Sequence, residues 1–211
     1  MKNNAKERIK VLIADDHEIM RMGLSSLFET DPSLDVIGEA VDGNEAVRKT
    51  LKLHPDVVVM DLMMPVKDGS EATQEIKRTL PGTKILLLTT FGTADGIAHA
   101  LDAGASGALV KTVELKELVA AIRAVTAGER VISPEIEQIL TDDPPVPKLS
   151  PRQSEILASI VRGLSTEDVA RQLGLSVQMV KEHLSATFEK IGANTRAEAV
   201  AIALRKHLLK I

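Results

Sequence analysis

Cysteine is absent from the 211 residues, which excludes a disulfide scaffold, a thiolate metal site and a cysteine nucleophile. Tryptophan and tyrosine are absent as well, and Phe28, Phe91 and Phe188 are the whole aromatic content, so stacking of bases on aromatic platforms is disfavoured as a binding mode. No apolar run approaches the roughly 18 residues that span a bilayer. The amino end, Met1 to Lys10, is polar and lysine-rich, unlike a signal peptide. We therefore expect a cytoplasmic protein with no membrane partner. No GxxxxGKS, GxxxxGKT or GxGxxG stretch supports nucleotide binding, and no HExxH occurs. His17, His54, His99, His183 and His207 are too dispersed to suggest a zinc site.

What is present is an ordinary globular composition, 44% apolar and 27% charged, with an uneven distribution of charge. Met1 to Pro147 carries 16 Lys and Arg against 24 Asp and Glu; Lys148 to Ile211 carries 10 against 6. An acidic larger part and a basic smaller part predict two domains with different partners, the basic one suited to nucleic acid.

Five short runs rich in Val, Ile and Leu recur at even spacing: Ile9 to Ala14, Leu34 to Glu39, Val57 to Met60, Ile85 to Leu88 and Ala108 to Val110. They predict buried strands. Between them, apolar residues three and four apart, such as Met20, Leu24, Leu27 and Phe28, predict amphipathic helices. Strands alternating with helices make a doubly wound α/β domain with a five-stranded parallel sheet, which binds ligands outside the carboxyl ends of its strands. We place this domain at 1–129. The stretch 130–147 ends in Asp142-Asp-Pro-Pro-Val-Pro147 and is expected to be a linker, because closely spaced prolines remove donors and fix φ. From 148 to 211 only helical periodicity remains. Ser150-Pro151 is a cap followed by a first-turn proline, and Gly163 and Gly174 punctuate turns, as in a small all-α helix-turn-helix domain.

The polar residues with chemical potential fall at strand ends. Asp15 and Asp16 follow the first strand, Asp61 the third, Thr89 and Thr90 the fourth and Lys111 the fifth. A single Asp at such a place is commonly a helix cap, but matching residues at four strand ends meeting at one rim make a site. Three carboxylates there repel unless a cation neutralises them, and all-oxygen ligation favours a hard ion such as Mg²⁺. With a hydroxyl and a lysine added, the set suits phosphoryl transfer onto a carboxylate.

Val11-Leu-Ile-Ala-Asp-Asp16, Asp61-Leu-Met-Met-Pro-Val-Lys-Asp-Gly69, Leu88-Thr-Thr90, Ala103-Gly-Ala-Ser-Gly107 and Val110-Lys111 stand in the order of the response-regulator receiver domain, which this part of the chain resembles. The resemblance implies that Asp61 accepts phosphate, that Asp16 and Asp61 bind Mg²⁺ directly with Asp15 acting through water, and that the Met63 carbonyl is a further ligand. It assigns Thr89, with Thr90 as the competing hydroxyl, to the phosphoryl oxygen, and Lys111 to its charge. The family's usual aromatic is missing at Ala108, and Thr112 stands where many receivers have Pro. An enzyme acting on outside substrates, in the manner of haloacid-dehalogenase-like phosphatases, would need an acid/base Asp where Met63 stands.

Leu149-Ser-Pro-Arg152, Gly163-Leu-Ser165, Val169-Ala170, Leu175-Ser176, Val180-Lys181, Lys190-Ile191 and Arg196-Ala197 resemble the LuxR-type helix-turn-helix. The two parts together resemble regulators of the NarL/FixJ type. This implies a sensor histidine kinase as phosphate donor, double-stranded DNA as target and a homodimer on phosphorylation. Val177 to Ile191 takes the place of the recognition helix, with Ser176, Gln178, Lys181, Glu182, His183, Lys190 and Arg196 as candidate DNA contacts. His183 lies beside the apolar stripe and can equally be a packed histidine. Glu167, Glu182 and Met179 depart from the family pattern, and two carboxylates near phosphates weaken electrostatic affinity. An atypical regulator that dimerises and binds DNA without phosphate is the alternative.

Overall fold

The structure, a computed structural model, describes residues 8–90, 94–146, 149–206 and 208–209. Lys2, Lys6, Phe91, His207 and the expected boundary at 147/148 lie outside them. The chain divides into two compact units, Met1–Pro144 and Pro145–Ile211.

In the first unit the strands are β1 (Ile9–Ala14), β2 (Leu34–Ala40), β3 (Val57–Met60), β4 (Lys84–Thr89), β5 (Gly107–Val110) and β6 (Val131–Ile132). They form one sheet in the order β2-β1-β3-β4-β5-β6, and every pairing is parallel. Its central strands carry side chains buried on both faces, which is why they read as unbroken apolar runs rather than as an alternation. Leu12, Val58, Met60, Ile85 and Leu87 point to one face, where they meet Val47 of α2 (Gly43–Leu53), Ile76 of α3 (Gly69–Thr79) and Ile97 of α4 (Ala94–Asp102). Val11, Ile13, Val59, Leu86 and Leu88 point to the other, packing with Phe28 of α1 (Glu18–Glu29) and Ile122 of α5 (Leu115–Ala127).

The sheet has six strands where five were expected. The sixth lies in the stretch read as a linker, which also forms a helix, α6 (Pro134–Asp142). Its Pro134 is a first-turn proline following Ser133, a helix start rather than a breaker. Ile136 of α6 is fully buried in the cluster that contains Ala108 and Leu101.

The second unit holds α7 (Pro151–Val161), α8 (Thr166–Leu173), α9 (Val177–Ile191) and α10 (Arg196–Arg205). Each opens on a hydroxyl residue, Ser150, Ser165, Ser176 and Thr195, whose oxygen accepts from an amide three residues on, satisfying a donor the helix leaves free. Gln153 completes a capping box with Ser150. Between α8 and α9 the chain turns at Gly174, whose φ of 64° is left-handed, while the Leu175 amide donates to the Ala170 carbonyl at 2.9 Å. That closure ends one helix and starts the next within a few residues. Ile156, Ile160, Val169, Val180 and Leu184 fill the core beneath the turn.

Candidate functional site

Backbone pairing assembles the rim. The Asp61 amide donates to the Ala14 carbonyl at 2.7 Å, setting the end of β3 beside the end of β1, and the Lys111 amide donates to the Thr89 carbonyl at 2.9 Å, joining the ends of β4 and β5. The loop after Asp61 folds back on itself, the Gly69 amide donating to the Leu62 carbonyl at 2.9 Å. A Cβ on Gly69 would stand 2.2 Å from the Asp61 carbonyl oxygen, so only glycine permits this approach.

On that frame Lys111 Nζ lies 2.6 Å from Asp15 Oδ2 and 2.7 Å from Asp61 Oδ2, with all three side chains 3–4% exposed. Burial pushes the Asp61 carboxyl above its usual range, Lys111 pulls it down, and the neighbouring Asp15 charge pushes it up again. Burial alone lowers the Lys111 amine, but its hydrogen bonds and charge attraction to Asp15 and Asp61 outweigh that and hold it above the usual lysine value. The remaining Asp61 oxygen, Oδ1, accepts from the Met63 amide at 3.3 Å.

Thr89 is 1% exposed and its Oγ1 has no hydrogen-bond partner among the described residues. Such an orphaned hydroxyl carries a cost unless something polar reaches it. Thr90, the competing hydroxyl, is exposed. Of the residues expected here, Asp15, Asp16 and Asp61 are brought together, with ligand atoms within 4.8 Å of one another, and the same group includes His17. Sequence reading passed over His17, although its adjacency to Asp15 and Asp16 was the available signal. A set of three carboxylates, two of them buried, fits a divalent cation: hard oxygen donors are drawn together, with ligand atoms within 4.8 Å of one another.

In the second unit α9 turns Val180, Leu184, Thr187 and Ile191 inward and leaves Gln178, Lys181, Glu182 and Ser185 exposed. Ser176 is occupied as the cap, accepting from Met179 at 3.1 Å. Gln178 Nε2 donates to Glu182 Oε1 at 3.0 Å, so the two present one joined polar surface. His183 and Lys190 are half-buried. Arg196 is half-buried at the start of α10, and its guanidinium donates to the Leu164 carbonyl in the turn between α7 and α8. Glu167 is exposed in the first turn of α8.

A parallel sheet with an acidic rim and a lysine across it, followed by a capped four-helix unit with a turn before its exposed helix, defines a receiver joined to a helix-turn-helix. Residues 11–123 match the response regulator receiver domain, and residues 147–203 match the bacterial regulatory proteins of the luxR family. The chain belongs to the response regulators, in the branch that carries a LuxR-type helix-turn-helix. It is 36% identical over 207 residues to the response regulator protein VraR of Staphylococcus aureus, covering 96% of this chain and 99% of that protein. Among solved structures it is similar to the response regulator ChrA of a heme-sensing two-component system, at 34% identity and a TM-score of 0.58, covering 96% and 99% of the two chains. RcsB from Salmonella enterica serovar Typhimurium, bound to a promoter in the presence of a phosphomimetic, aligns at 25% identity with a TM-score of 0.67, covering 93% of this chain and 98% of that one.

Proposed function

We propose that the chain is a transcription regulator switched by phosphorylation of Asp61, with signal reception in Met1–Pro144 and binding of double-stranded DNA in Pro145–Ile211. The observation that carries this is Lys111 bridging Asp15 and Asp61 at 2.6 and 2.7 Å, beside a strand end where Thr89 keeps a buried hydroxyl without a partner. An Asp61 carboxylate oxygen attacks the phosphorus of a phosphohistidine on a sensor kinase; the new O–P bond forms as the P–N bond breaks, and the imidazole leaves with the electron pair. Lys111 keeps its positive charge throughout and meets the added phosphoryl oxygens. Thr89 Oγ1 donates to one of them, which gives the orphaned hydroxyl its partner. Asp16 and Asp61 directly, Asp15 through water, and the Met63 carbonyl would hold Mg²⁺, which supplies positive charge against the same oxygens. The chain is thus a regulator that catalyses only its own phosphoryl transfer and dephosphorylation.

DNA is met by the exposed side of α9, where Lys181 contacts phosphate and the joined pair Gln178 and Glu182 faces base edges. The likeness to a regulator solved on promoter DNA supports this reading. With Glu167 and Glu182 near the duplex, one unit binds a half-site weakly; two copies held in a homodimer gain by effective concentration. Phosphorylation therefore acts through dimer formation, in the cytoplasm where the DNA lies.

The test is labelling by acetyl phosphate, with and without Mg²⁺, for the wild type and Asp61→Asn, followed by sedimentation and DNA titration of the same samples. Label that needs both Mg²⁺ and Asp61, with dimerisation and DNA affinity rising several-fold together, is the expected result. Label retained in Asp61→Asn would remove the site; full DNA affinity without any label would establish the phosphate-independent regulator instead.

A further inference from the structure

His17 stands at the position preceding α1, where a side chain commonly caps the helix, yet its ring makes no cap bond. The imidazole is turned to the acids instead: Nδ1 lies 2.8 Å from Asp16 Oδ1 and 3.2 Å from Asp15 Oδ1. The residue is anchored there by its own backbone, whose amide donates to Asp15 Oδ1 at 2.8 Å. Lys111 holds the Oδ2 atoms of Asp15 and Asp61, while their Oδ1 atoms accept from the backbone amides of His17 and Met63 and keep a further lone pair each for a cation or its bound water, beside the Asp16 carboxylate that His17 approaches.

We propose that His17 is a side-chain ligand of the divalent cation at this rim and biases the site toward cations that accept nitrogen. This rests on the reading of Asp15, Asp16 and Asp61 as the Mg²⁺ site. Two adjacent donors around a six-coordinate ion with bonds of about 2.1 Å lie about 3 Å apart, and opposite donors about 4.2 Å. The 2.8 Å from Nδ1 to Asp16 is the adjacent spacing, whereas the 4.8 Å span of the whole group is wider than the opposite one, so the side chains have to draw in to bind one ion together. Without a cation Nδ1–H donates to these carboxylates; as a ligand Nδ1 gives up that proton and the ion takes its place, and the ring proton resides on Nε2, on the 71%-exposed side chain, where water accepts from it. Carboxylate and carbonyl oxygens suit Mg²⁺, whereas an imidazole nitrogen adds far more to Co²⁺ than to Mg²⁺. His17 thereby gives an otherwise all-oxygen site a graded preference among divalent ions.

The experiment titrates the full chain with CoCl₂, read by visible absorption and calorimetry, and separately with MgCl₂, for the wild type, His17→Ala and Asp61→Asn. The expected result is a Co²⁺-to-Mg²⁺ affinity ratio that falls at least about tenfold in His17→Ala, with Asp61→Asn weakening both ions. A ratio in His17→Ala within twofold of wild type, or Co²⁺ affinity untouched by Asp61→Asn, would overturn the role of His17. Failure of Mg²⁺ to bind the wild type would instead overturn the site on which the role rests.

Discussion

The Ser133 amide donates to the Ala108 carbonyl at 3.0 Å, so α6 starts directly against β5. Ile136 then fills the cluster around Ala108, and both are 0% exposed. The β6–α6 segment thus closes over Ala108, adding Ile132 and Ile139 to the same cluster.

Ala108→Tyr should therefore lower stability by about 1–3 kcal/mol, the usual cost of overpacking, rather than restore a moving aromatic. Ile136→Ala should cost about 2–5 kcal/mol through the cavity it leaves. Urea unfolding of the full chain measures both. A neutral Ala108→Tyr would show that the segment yields easily.

Asp61→Asn should stabilise the protein in a pH-dependent way. Burial raises the folded carboxyl above its usual 3.8, so the neutral form's contribution is fully present below that value and is lost as pH rises through the raised one. Asn never ionises. The gain of the variant should be absent near pH 3.8, grow as pH rises and level off once Asp61 is charged, as thermal unfolding of both proteins across pH will report.

Lys111→Met should be costly, about 3–5 kcal/mol, because it leaves Asp15 and Asp61 buried without their shared cation. Added Mg²⁺ should recover part of the loss. The wild-type amine is held above 10.5 by its two carboxylates against the opposing effect of burial. Its contribution is complete below 10.5 and disappears as pH climbs through the raised value, a loss of stability that Lys111→Met should lack.

Lys181 and Arg196 should behave differently, although the sequence offers both as candidate DNA contacts. Lys181→Ala should weaken binding evenly across sequences and reduce the salt slope by about 1 per protomer, and Glu167→Lys should steepen it. Arg196→Ala should instead destabilise the unit by about 1.5–3 kcal/mol, through the lost bond to the Leu164 carbonyl. DNA titrations at several salt concentrations, beside unfolding curves, separate the two.

The central strands were legible because their burial on both faces writes itself as continuous apolar sequence: Ile9–Ala14 and Val57–Met60 stand where the runs stand. The acids, Thr89 and Lys111 were legible because strand ends are periodic. β6 was not, since Val131–Ile132 is two residues long and any loop contains such a pair. Nor was α6, which buries one residue fully, Ile136, and runs into the prolines that dominate the local signal. The sequence placed His17 beside two acids but is silent on which way an imidazole turns, and the partner of Arg196 lies 32 positions away, beyond any local pattern.

The margins of the sheet bear on how copies can associate. On one side β6 offers two residues, and on the other β2 shifts register opposite Val11/Leu12 and carries Asp35 and Glu39. A strand from a neighbour needs a long, flat, uncharged edge to template on, and neither margin supplies one. Self-association by strand addition, with the open-ended growth it invites, is disfavoured at both margins, which would leave the proposed pairing of copies to helix surfaces.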